Sequence, residues 1–396
     1  MLLALCSAFA LSQAFRTVAA MMATQLQSDF RLSAQQLGVF AGSFHFAFGA
    51  MQFFIGIGID LHGIRRTILI AFPLAIAGSV LSALANSYGL VVLGQVMIGV
   101  GCAPAFLVCT VFIARRFPQQ RFASVSGLVL GLGGVGMMLT GTPLAWVVQE
   151  GSWRLGFVAL AIGSAIAWLV MFLLVRDPED TGGGRQESIL DGMRNFAGLF
   201  KIPHTWGIFA LGAVTYASFM TLRGLWLGPL LVERYGFSLV QSGNVALLVS
   251  IMSILGYPLF GWLNPQGRSR RRWIVSLTLV LASLFAVLAV APTPGIAATV
   301  PIVIGFLAGF IVLQYADVRA AYPAALTGRA MAVFTMGMFL GIALMQWITG
   351  VVASLAAIAG VDPFTVVLVT IAALLAVGVI AFAGLPAPPG HAERNW

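Results

Sequence analysis

The sequence predicts an all-α membrane protein with twelve transmembrane helices in two six-helix, pseudo-symmetric halves. Of its 396 residues, 60% are hydrophobic and only 8% are charged, whereas soluble domains carry about a quarter charged residues. Apolar runs separated by short polar breaks recur along the chain, and most reach the ~20 residues that a membrane-spanning helix needs. Three short matches at one spacing indicate that the second half repeats the first.

Twelve apolar runs define the expected spans. Helix is the expected state of each, because an isolated strand cannot satisfy its backbone hydrogen bonds in lipid. Spans 1 to 12 are expected at 3–26, 34–58, 66–86, 89–114, 122–148, 153–175, 204–232, 238–263, 273–291, 295–318, 328–356 and 364–385. The polar segment after span 6 divides the chain into an N-terminal bundle over 1–175, a cytoplasmic linker over 176–203 and a C-terminal bundle over 204–396.

The basic residues predict the orientation. With the N-terminus inside, 16 of the 21 basic residues fall in inner segments, three fall in outer loops and two fall within spans. Inner loops of membrane proteins carry this excess of Lys and Arg. We therefore expect a multi-pass protein of the cell inner (plasma) membrane with both termini in the cytoplasm. The net charge of +9 then requires no nucleic-acid partner.

The internal repeat rests on matches between the beginnings and ends of corresponding spans. LSAQQLGVF at 32–40 aligns with FSLVQSGNV at 237–245, which is 205 residues later. GIGIDLHGIRR at 56–66 resembles GWLNPQGRSRR at 261–271, and a third match follows spans 4 and 10 at the same spacing. Parallel six-helix repeats with a binding site between them are a common transporter plan.

The segment between spans 2 and 3 carries a defined pattern. Residues 56–66 follow Gly-x-x-x-Asp-x-x-Gly-x-Arg-Arg, which contains Asp60, Gly63, Arg65 and Arg66. In this pattern, together with twelve helices and a degenerate second copy, the chain resembles the major facilitator superfamily of secondary transporters. The resemblance implies the fold of that family, alternating access, and a gating role for these four residues between the halves. The alternative is an inside anchor that only obeys the charge bias.

Two arginines fall within spans, Arg16 in span 1 and Arg223 in span 7. They precede the aligned serines Ser33 and Ser238 by 17 and 15 residues, so the repeat makes them near equivalents. An arginine at mid-membrane costs at least ~2.5–3.5 kcal/mol on insertion scales, and neither span offers an acid before Glu233. Because guanidinium forks match carboxylates and phosphates, we expect both arginines to face one central cavity and bind a small organic anion.

The arginine pair is similar to that of the organophosphate–phosphate exchangers of the superfamily. This resemblance implies transport of a carboxylate or phosphate ester by proton symport or anion exchange. In the alternative, each arginine pairs with an acid such as Asp317 or with helix-end carbonyls. Proton-coupled efflux of hydrophobic drugs or amphiphiles and a non-transporting anion sensor are the other functions considered. The chain departs from the drug–proton antiporters at Gln95, where they carry arginine, and at Gly141 in span 5.

Other polar residues within the spans complete the candidate site. The candidate substrate contacts beside the arginines are Gln13, Tyr216, Trp226, Gln314 and Gln346. Such side chains bond or stack on a ligand, and packing alone is the alternative. The candidates for proton coupling are His45, whose imidazole titrates near neutral pH, and Asp317. The alternatives are a neutral hydrogen-bonded role for His45 and a salt bridge for Asp317.

The sequence predicts neither enzyme activity nor a cofactor. It contains no Walker sequence, metal-ligand cluster or nucleophilic triad. GLGGVG at 131–136 fits Gly-x-Gly-x-x-Gly, but a dinucleotide site needs a preceding strand, and this stretch lies inside an apolar run typical of helix packing. The expected partners are a small anionic substrate, the lipid bilayer and protons, with no nucleic acid, and we expect a monomer.

Overall fold

The computed structural model describes residues 1–116, 119–176, 198–263, 265–291, 293–322 and 324–384, which are helical apart from short turns. In chain order the helices are α1 (Leu2–Phe15), α2 (Val18–Phe30), α3 (Ala34–Ala71), α4 (Pro73–Ala83), α5 (Tyr88–Cys102), α6 (Pro104–Arg116), α7 (Gln119–Leu139), α8 (Thr142–Glu150), α9 (Trp153–Leu174), α10 (Pro203–Thr221), α11 (Leu239–Leu263), α12 (Gly267–Ala289), α13 (Pro294–Ala308), α14 (Ile311–Ala321), α15 (Ala324–Ile358) and α16 (Pro363–Gly384). After α10 the chain continues through the π-helical turns Leu222–Trp226 and Leu230–Arg234, which the short helix Leu227–Pro229 connects.

The helices follow the twelve predicted spans in order, which confirms the fold class. Within the described residues, ten helical stretches are long and apolar enough to cross a membrane, and the bent pair α1–α2 makes eleven. The first half of α3 occupies the place of predicted span 2. Most of the predicted linker over 176–203 lies outside the described residues.

The segment between predicted spans 2 and 3 makes a tight turn within α3. Gly63 has φ 80° and ψ 173°, while helical structure continues on both sides of it. Glycine adopts this positive φ without the steric penalty that a Cβ imposes. The hydroxyl of Thr67 donates to the carbonyl oxygen of Gly63 at 2.8 Å, which supports the turn. The break between spans 2 and 3 thus lies at Gly63, within the predicted segment.

The aligned serines of the repeat are N-caps of equivalent helices. The backbone N–H of Gln36 donates to Oγ of Ser33 at 3.2 Å, and the N–H of Ser33 donates to Oε1 of Gln36 at 2.9 Å. The same pair of bonds joins Gln241 and Ser238, at 3.1 and 2.9 Å. Each capping box satisfies two backbone donors at a helix start, which explains why these two short motifs resemble one another.

Several spans are broken near the middle. Span 1 bends by 41° between α1 and α2, where Arg16 and Thr17 lie. Span 5 breaks between α7 and α8, and span 10 breaks between α13 and α14. A broken helix leaves carbonyl oxygens without their usual intrahelical donors. These breaks therefore provide acceptors for side chains in the centre of the bundle.

The two halves are closed against each other at the predicted outer end of the bundle. This is the end at which the chain passes from α2 to α3 and from α15 to α16. The N–H of Gln35 donates to Oγ of Ser354 at 2.9 Å, and the N–H of Val240 donates to Oε1 of Gln149 at 3.3 Å. A Cβ on Gly38 would overlap the carbonyl oxygen of Gln346, so α3 and α15 approach very closely there. Both hydrogen bonds join one half to the other.

Candidate functional site

Arg16 lies at the break of span 1, between the two halves. Its guanidinium carbon is 4.8 Å from the ring centroid of Phe48 and 4.8 Å from that of Phe339. These rings belong to α3 in the first half and α15 in the second. Nη2 donates a long hydrogen bond, 3.5 Å, to Oγ of Ser12. Nε is buried and has no partner, so aromatic faces provide much of the environment of this cation.

Two neutral polar side chains lie on the same faces of α3 and α15. The His45 ring is 6.4 Å from the Phe339 ring, at an interplanar angle of 19°. Arg16 lies within electrostatic range of His45, and Gln346 lies beside it. Nε2 of His45 and both amide atoms of Gln346 are buried without a hydrogen-bond partner. We refer to Arg16, His45, Phe48, Phe339 and Gln346 as the Arg16 cluster.

Unsatisfied polar atoms of this kind require an explanation. Buried polar groups in folded proteins are hydrogen-bonded in the great majority of cases. Each unpaired group costs roughly 1–3 kcal/mol, and more if it is charged. The Arg16 cluster contains four unpaired atoms, namely Nε of Arg16, Nε2 of His45, and Nε2 and Oε1 of Gln346. This concentration of free donors and acceptors around a cation is typical of a binding site.

Arg223 is held differently, within the π-helical turn Leu222–Trp226. Its side chain is completely buried. Nη2 donates to the carbonyl oxygen of Met137 at 2.9 Å and to Oγ1 of Thr140 at 3.5 Å, and Nε donates to Oγ of Ser250 at 3.2 Å. Met137 lies in the last turn of α7, where the break of span 5 leaves its carbonyl accessible. Nη1 has no partner.

The structure therefore places the two arginines against different surfaces. The contacts of Arg16 come from α1, α3 and α15, whereas those of Arg223 come from α7, α11 and the segment after α7. No contact residue is common to these two sets. The ion pairs among the described residues are Arg154–Asp29 and Arg234–Asp362, both at the predicted outer end. A shared anion site for Arg16 and Arg223 stays a prediction.

The other candidate substrate contacts are spread over the interface. Nε2 of Gln13 is 3.9 Å from Sδ of Met137, and its Oε1 is unpaired. The Tyr216 ring lies 6.4 Å from the Phe339 ring. Nε1 of Trp226 donates to Oγ1 of Thr349 at 3.0 Å, so its donor is already used.

The remaining candidates, Gln314 and Asp317, line a small cavity of about 10 Å³ within the second half. Oε1 of Gln314 accepts from Oγ1 of Thr215 at 3.0 Å, while its Nε2 is unpaired. Asp317 is buried and lies in electrostatic range of Arg271 on α12. Apolar side chains form the rest of the wall. This cavity is separate from the Arg16 cluster.

Arg65 and Arg271, near the predicted inner end, each donate to backbone carbonyl oxygens of their own half. Nε of Arg65 donates to the carbonyl oxygen of Val175 at 2.8 Å, and Nη2 donates to that of Phe172 at 3.2 Å. In the second half, Nη2 of Arg271 donates to the carbonyl oxygen of Phe382 at 3.0 Å. Each arginine thus binds the C-terminal end of the last helix of its half, where the helix dipole favours a cation.

Two further gating candidates, Asp60 and Arg66, lie on the same stretch of α3. Arg66 is exposed. Asp60 lies in α3, but its side chain is outside the described part of the structure. The gating roles of Asp60, Gly63, Arg65 and Arg66 therefore stay predictions.

Sequence reasoning did not identify Phe48 and Phe339, which enclose Arg16. A signal was present, because Phe48 follows His45 by three residues and Phe339 precedes Gln346 by seven. Both spacings place the pairs on one helix face. The partners of Arg223 carried no comparable signal, since a backbone carbonyl at a helix break has no signature in side-chain composition.

A polytopic bundle of two parallel six-helix repeats, with unpaired polar groups buried between them, is an architecture found in many secondary transporters. The sequence matches the Major Facilitator Superfamily over residues 4–346. The chain belongs to this superfamily, and it is a multi-pass membrane transporter rather than an enzyme.

Similarities to individual proteins agree with this assignment. The chain is 24% identical to the hexuronate transporter of Bacillus subtilis (strain 168) over 259 residues, which are 63% of this chain and 60% of that protein. It thus spans less than two thirds of that relative. The D-xylose-proton symporter has a TM-score of 0.78 at 14% identity, with 98% of each chain covered.

A bacterial homolog of the human lysosomal transporter Spinster, in an inward-facing and occupied conformation, has a TM-score of 0.76 at 17% identity. The alignment covers 96% of this chain and 95% of that one. At these identities the two solved structures show a common fold.

Proposed function

We propose that this transporter moves a small organic anion by alternating access and that Arg16 binds its negative charge. One observation carries the proposal: a buried, permanently charged guanidinium between the two halves has an unpaired Nε and no ion-pair partner among the described residues. An uncompensated charge within a membrane is expensive. An anion bound to Arg16 would offset this cost, and it would leave again during each transport cycle.

A carboxylate with hydroxyl groups fits the cluster best. The guanidinium matches a carboxylate, while the free amide atoms of Gln346 are neutral and suited to hydroxyl groups. Arg223 already bonds to Met137, Thr140 and Ser250, which leaves one guanidinium for the substrate and favours a monoanion over a phosphate ester of higher charge. The similarity to a hexuronate transporter supports a sugar acid as the substrate.

Other predicted residues receive roles in the same proposal. Gln13 extends the site along span 1, and Tyr216 extends it into the second half. Gln314 contacts the anion only if the anion reaches the separate cavity beside Asp317 in another conformation. Trp226 contributes packing, because its donor is bonded to Thr349. Arg223 contacts the anion only if it releases Met137 in another conformation.

Alternating access requires that the two ends close in turn. The predicted outer end is closed here by bonds such as Gln35 to Ser354. We propose that the segment with Asp60, Gly63, Arg65 and Arg66 takes part in closing the predicted inner end, with both termini in the cytoplasm. The cell inner (plasma) membrane is the proposed location, as the charge bias indicates.

A ligand screen on the purified protein tests the substrate class. We expect D-glucuronate to raise the melting temperature, as a ligand of the folded state does, and glucose 6-phosphate and tetraphenylphosphonium to have little effect. Protection by tetraphenylphosphonium alone would support efflux of hydrophobic drugs and contradict the proposal. Protection by the phosphate ester alone would exclude the carboxylate.

Counterflow in proteoliposomes then separates a transporter from a sensor. Vesicles loaded with unlabelled D-glucuronate should accumulate the labelled compound transiently. Binding without counterflow would favour a non-transporting anion sensor and contradict the transport function proposed for the site.

A further inference from the structure

We infer that His45 carries the proton that accompanies the anion, so that anion binding at Arg16 and proton binding at His45 favour each other. This inference rests on the proposed function, because it assigns the coupling ion of the same site. It selects proton symport over anion exchange. The proton enters from the aqueous side with the anion, binds Nε2 and leaves with the anion on the other side.

The hydrogen bond of His45 identifies the ring nitrogen that accepts the proton. Nδ1 lies 3.2 Å from the carbonyl oxygen of Ala41. A carbonyl oxygen only accepts, so Nδ1 must carry a hydrogen, and in the neutral ring Nε2 has a free lone pair. Nε2 is buried and makes no hydrogen bond of ordinary length, although the uncharged side chain of Gln346 lies close enough to interact with the ring. His45 thus has a vacant basic position in the interior of the bundle, next to the proposed anion.

The groups that face His45 explain why anion and proton would be coupled. From α1 it faces Arg16, and from α15 it faces Phe339 and the uncharged Gln346, while Phe44 lies beside it on α3. No acidic residue is among these neighbours. A proton on Nε2 would add a second positive charge near Arg16, in surroundings where charges interact strongly. An anion bound to Arg16 offsets this repulsion between positive charges and so favours protonation of His45.

Linkage makes this relation reciprocal. If a bound anion favours protonation of His45, then protonation must increase the affinity for the anion by the same factor. Asp317 is less suited to this task. It faces Arg271 within the second half and lines a cavity separate from Arg16, so an anion on Arg16 would act on it from farther away.

The test compares the affinity for D-glucuronate at pH 6 and pH 8 by calorimetry on purified wild-type protein and on His45→Gln. A carboxylate remains ionised over this range, so any change belongs to the protein. We expect the wild type to bind about fivefold to tenfold more tightly at pH 6, a factor within the usual range for coupled sites. His45→Gln should show less than about a twofold change.

His204→Gln is the matched control, because His204 lies at the start of α10 and interacts with Arg271 and Tyr322 rather than Arg16. It should retain the wild-type pH dependence. In proteoliposomes, an inward proton gradient should drive accumulation by the wild type and by His204→Gln, while His45→Gln equilibrates the anion without accumulating it. His45→Asn is the second variant if His45→Gln does not fold.

The two levels of the proposal fail in different ways. If the wild type does not bind D-glucuronate at either pH, the proposed function is wrong and the inference falls with it. If it binds, and His45→Gln retains both the pH dependence and the proton-driven accumulation, then only the assignment of His45 is overturned. Equal affinity of the wild type at pH 6 and pH 8 would also overturn the assignment.

Discussion

Arg16 and Arg223 hold near-equivalent positions in the two halves, yet their surroundings differ. Arg16 lies between two phenylalanine rings and has a free Nε. Arg223 donates to a backbone carbonyl and two hydroxyl groups. These hydrogen bonds join α7 to α11 through the Arg223 side chain. Duplication thus supplied two similar cations, and the breaks of the surrounding helices gave them different partners. Arg16 thus keeps a donor free in the interior of the bundle, whereas Arg223 forms hydrogen bonds that join the two halves.

The largest expected effect is that of removing the charge at Arg16. Arg16→Gln should weaken binding of D-glucuronate by about 2–5 kcal/mol, the usual cost when one partner of a buried charge pair is lost. Arg16→Lys should restore only part of this affinity, because an ammonium cannot form the bidentate bond. Calorimetry on protein that elutes as a folded species measures both effects.

Arg154→Gln is the control for this prediction. Arg154 forms an exposed ion pair with Asp29, and such pairs contribute roughly 0–1 kcal/mol. The affinity for D-glucuronate should therefore stay within about twofold of the wild type. Wild-type affinity in Arg16→Gln would exclude Arg16 as the anion ligand, whatever the control shows.

A smaller effect on affinity is expected at Arg223. Arg223→Gln removes the hydrogen bonds that the charged guanidinium donates. Each is worth about 1.5–3 kcal/mol, so the protein should melt at a lower temperature. Binding of D-glucuronate should weaken less than in Arg16→Gln, because Arg223 is bonded within the protein. Thermal unfolding and calorimetry on the same sample separate the two quantities.

The double variant Thr140→Val, Ser250→Ala sharpens this comparison. It removes two partners of Arg223 but keeps its charge, so it should lower stability in the same way if bonding is the role of Arg223. Equal loss of affinity in Arg223→Gln and Arg16→Gln would instead favour the prediction that both guanidiniums bind one anion.

The smallest effect is expected where the two halves are alike. Ser33→Ala and Ser238→Ala each remove the side-chain acceptor of a capping box, and each should destabilise the protein by about 1 kcal/mol. Because the hydrogen bonds of the two boxes agree within 0.1 Å (3.2 and 2.9 Å against 3.1 and 2.9 Å), the two losses should be similar. Thermal unfolding of the single variants tests this, and a large difference would argue against equivalent caps.

The sequence by itself determined the helical membrane fold, the order of the spans and the repeat. These depend on local quantities: the length of an apolar run, the charge of a loop, and the serine and glutamine that cap a helix. It also indicated that Arg16 and Arg223 are unusual, since a charge within an apolar run is visible without coordinates. The turn between spans 2 and 3 falls at Gly63, within the segment that separates the two predicted spans.

Only the tertiary structure decided how the two arginines differ. The partners of Arg16 come from α3 and α15, which lie in different halves, and the carbonyl that binds Arg223 is accessible because α7 ends at Leu139. Neither fact is local in the sequence, since the helices on which the contacts depend are far apart along the chain. The packing of the halves therefore assigns these two cations their different environments.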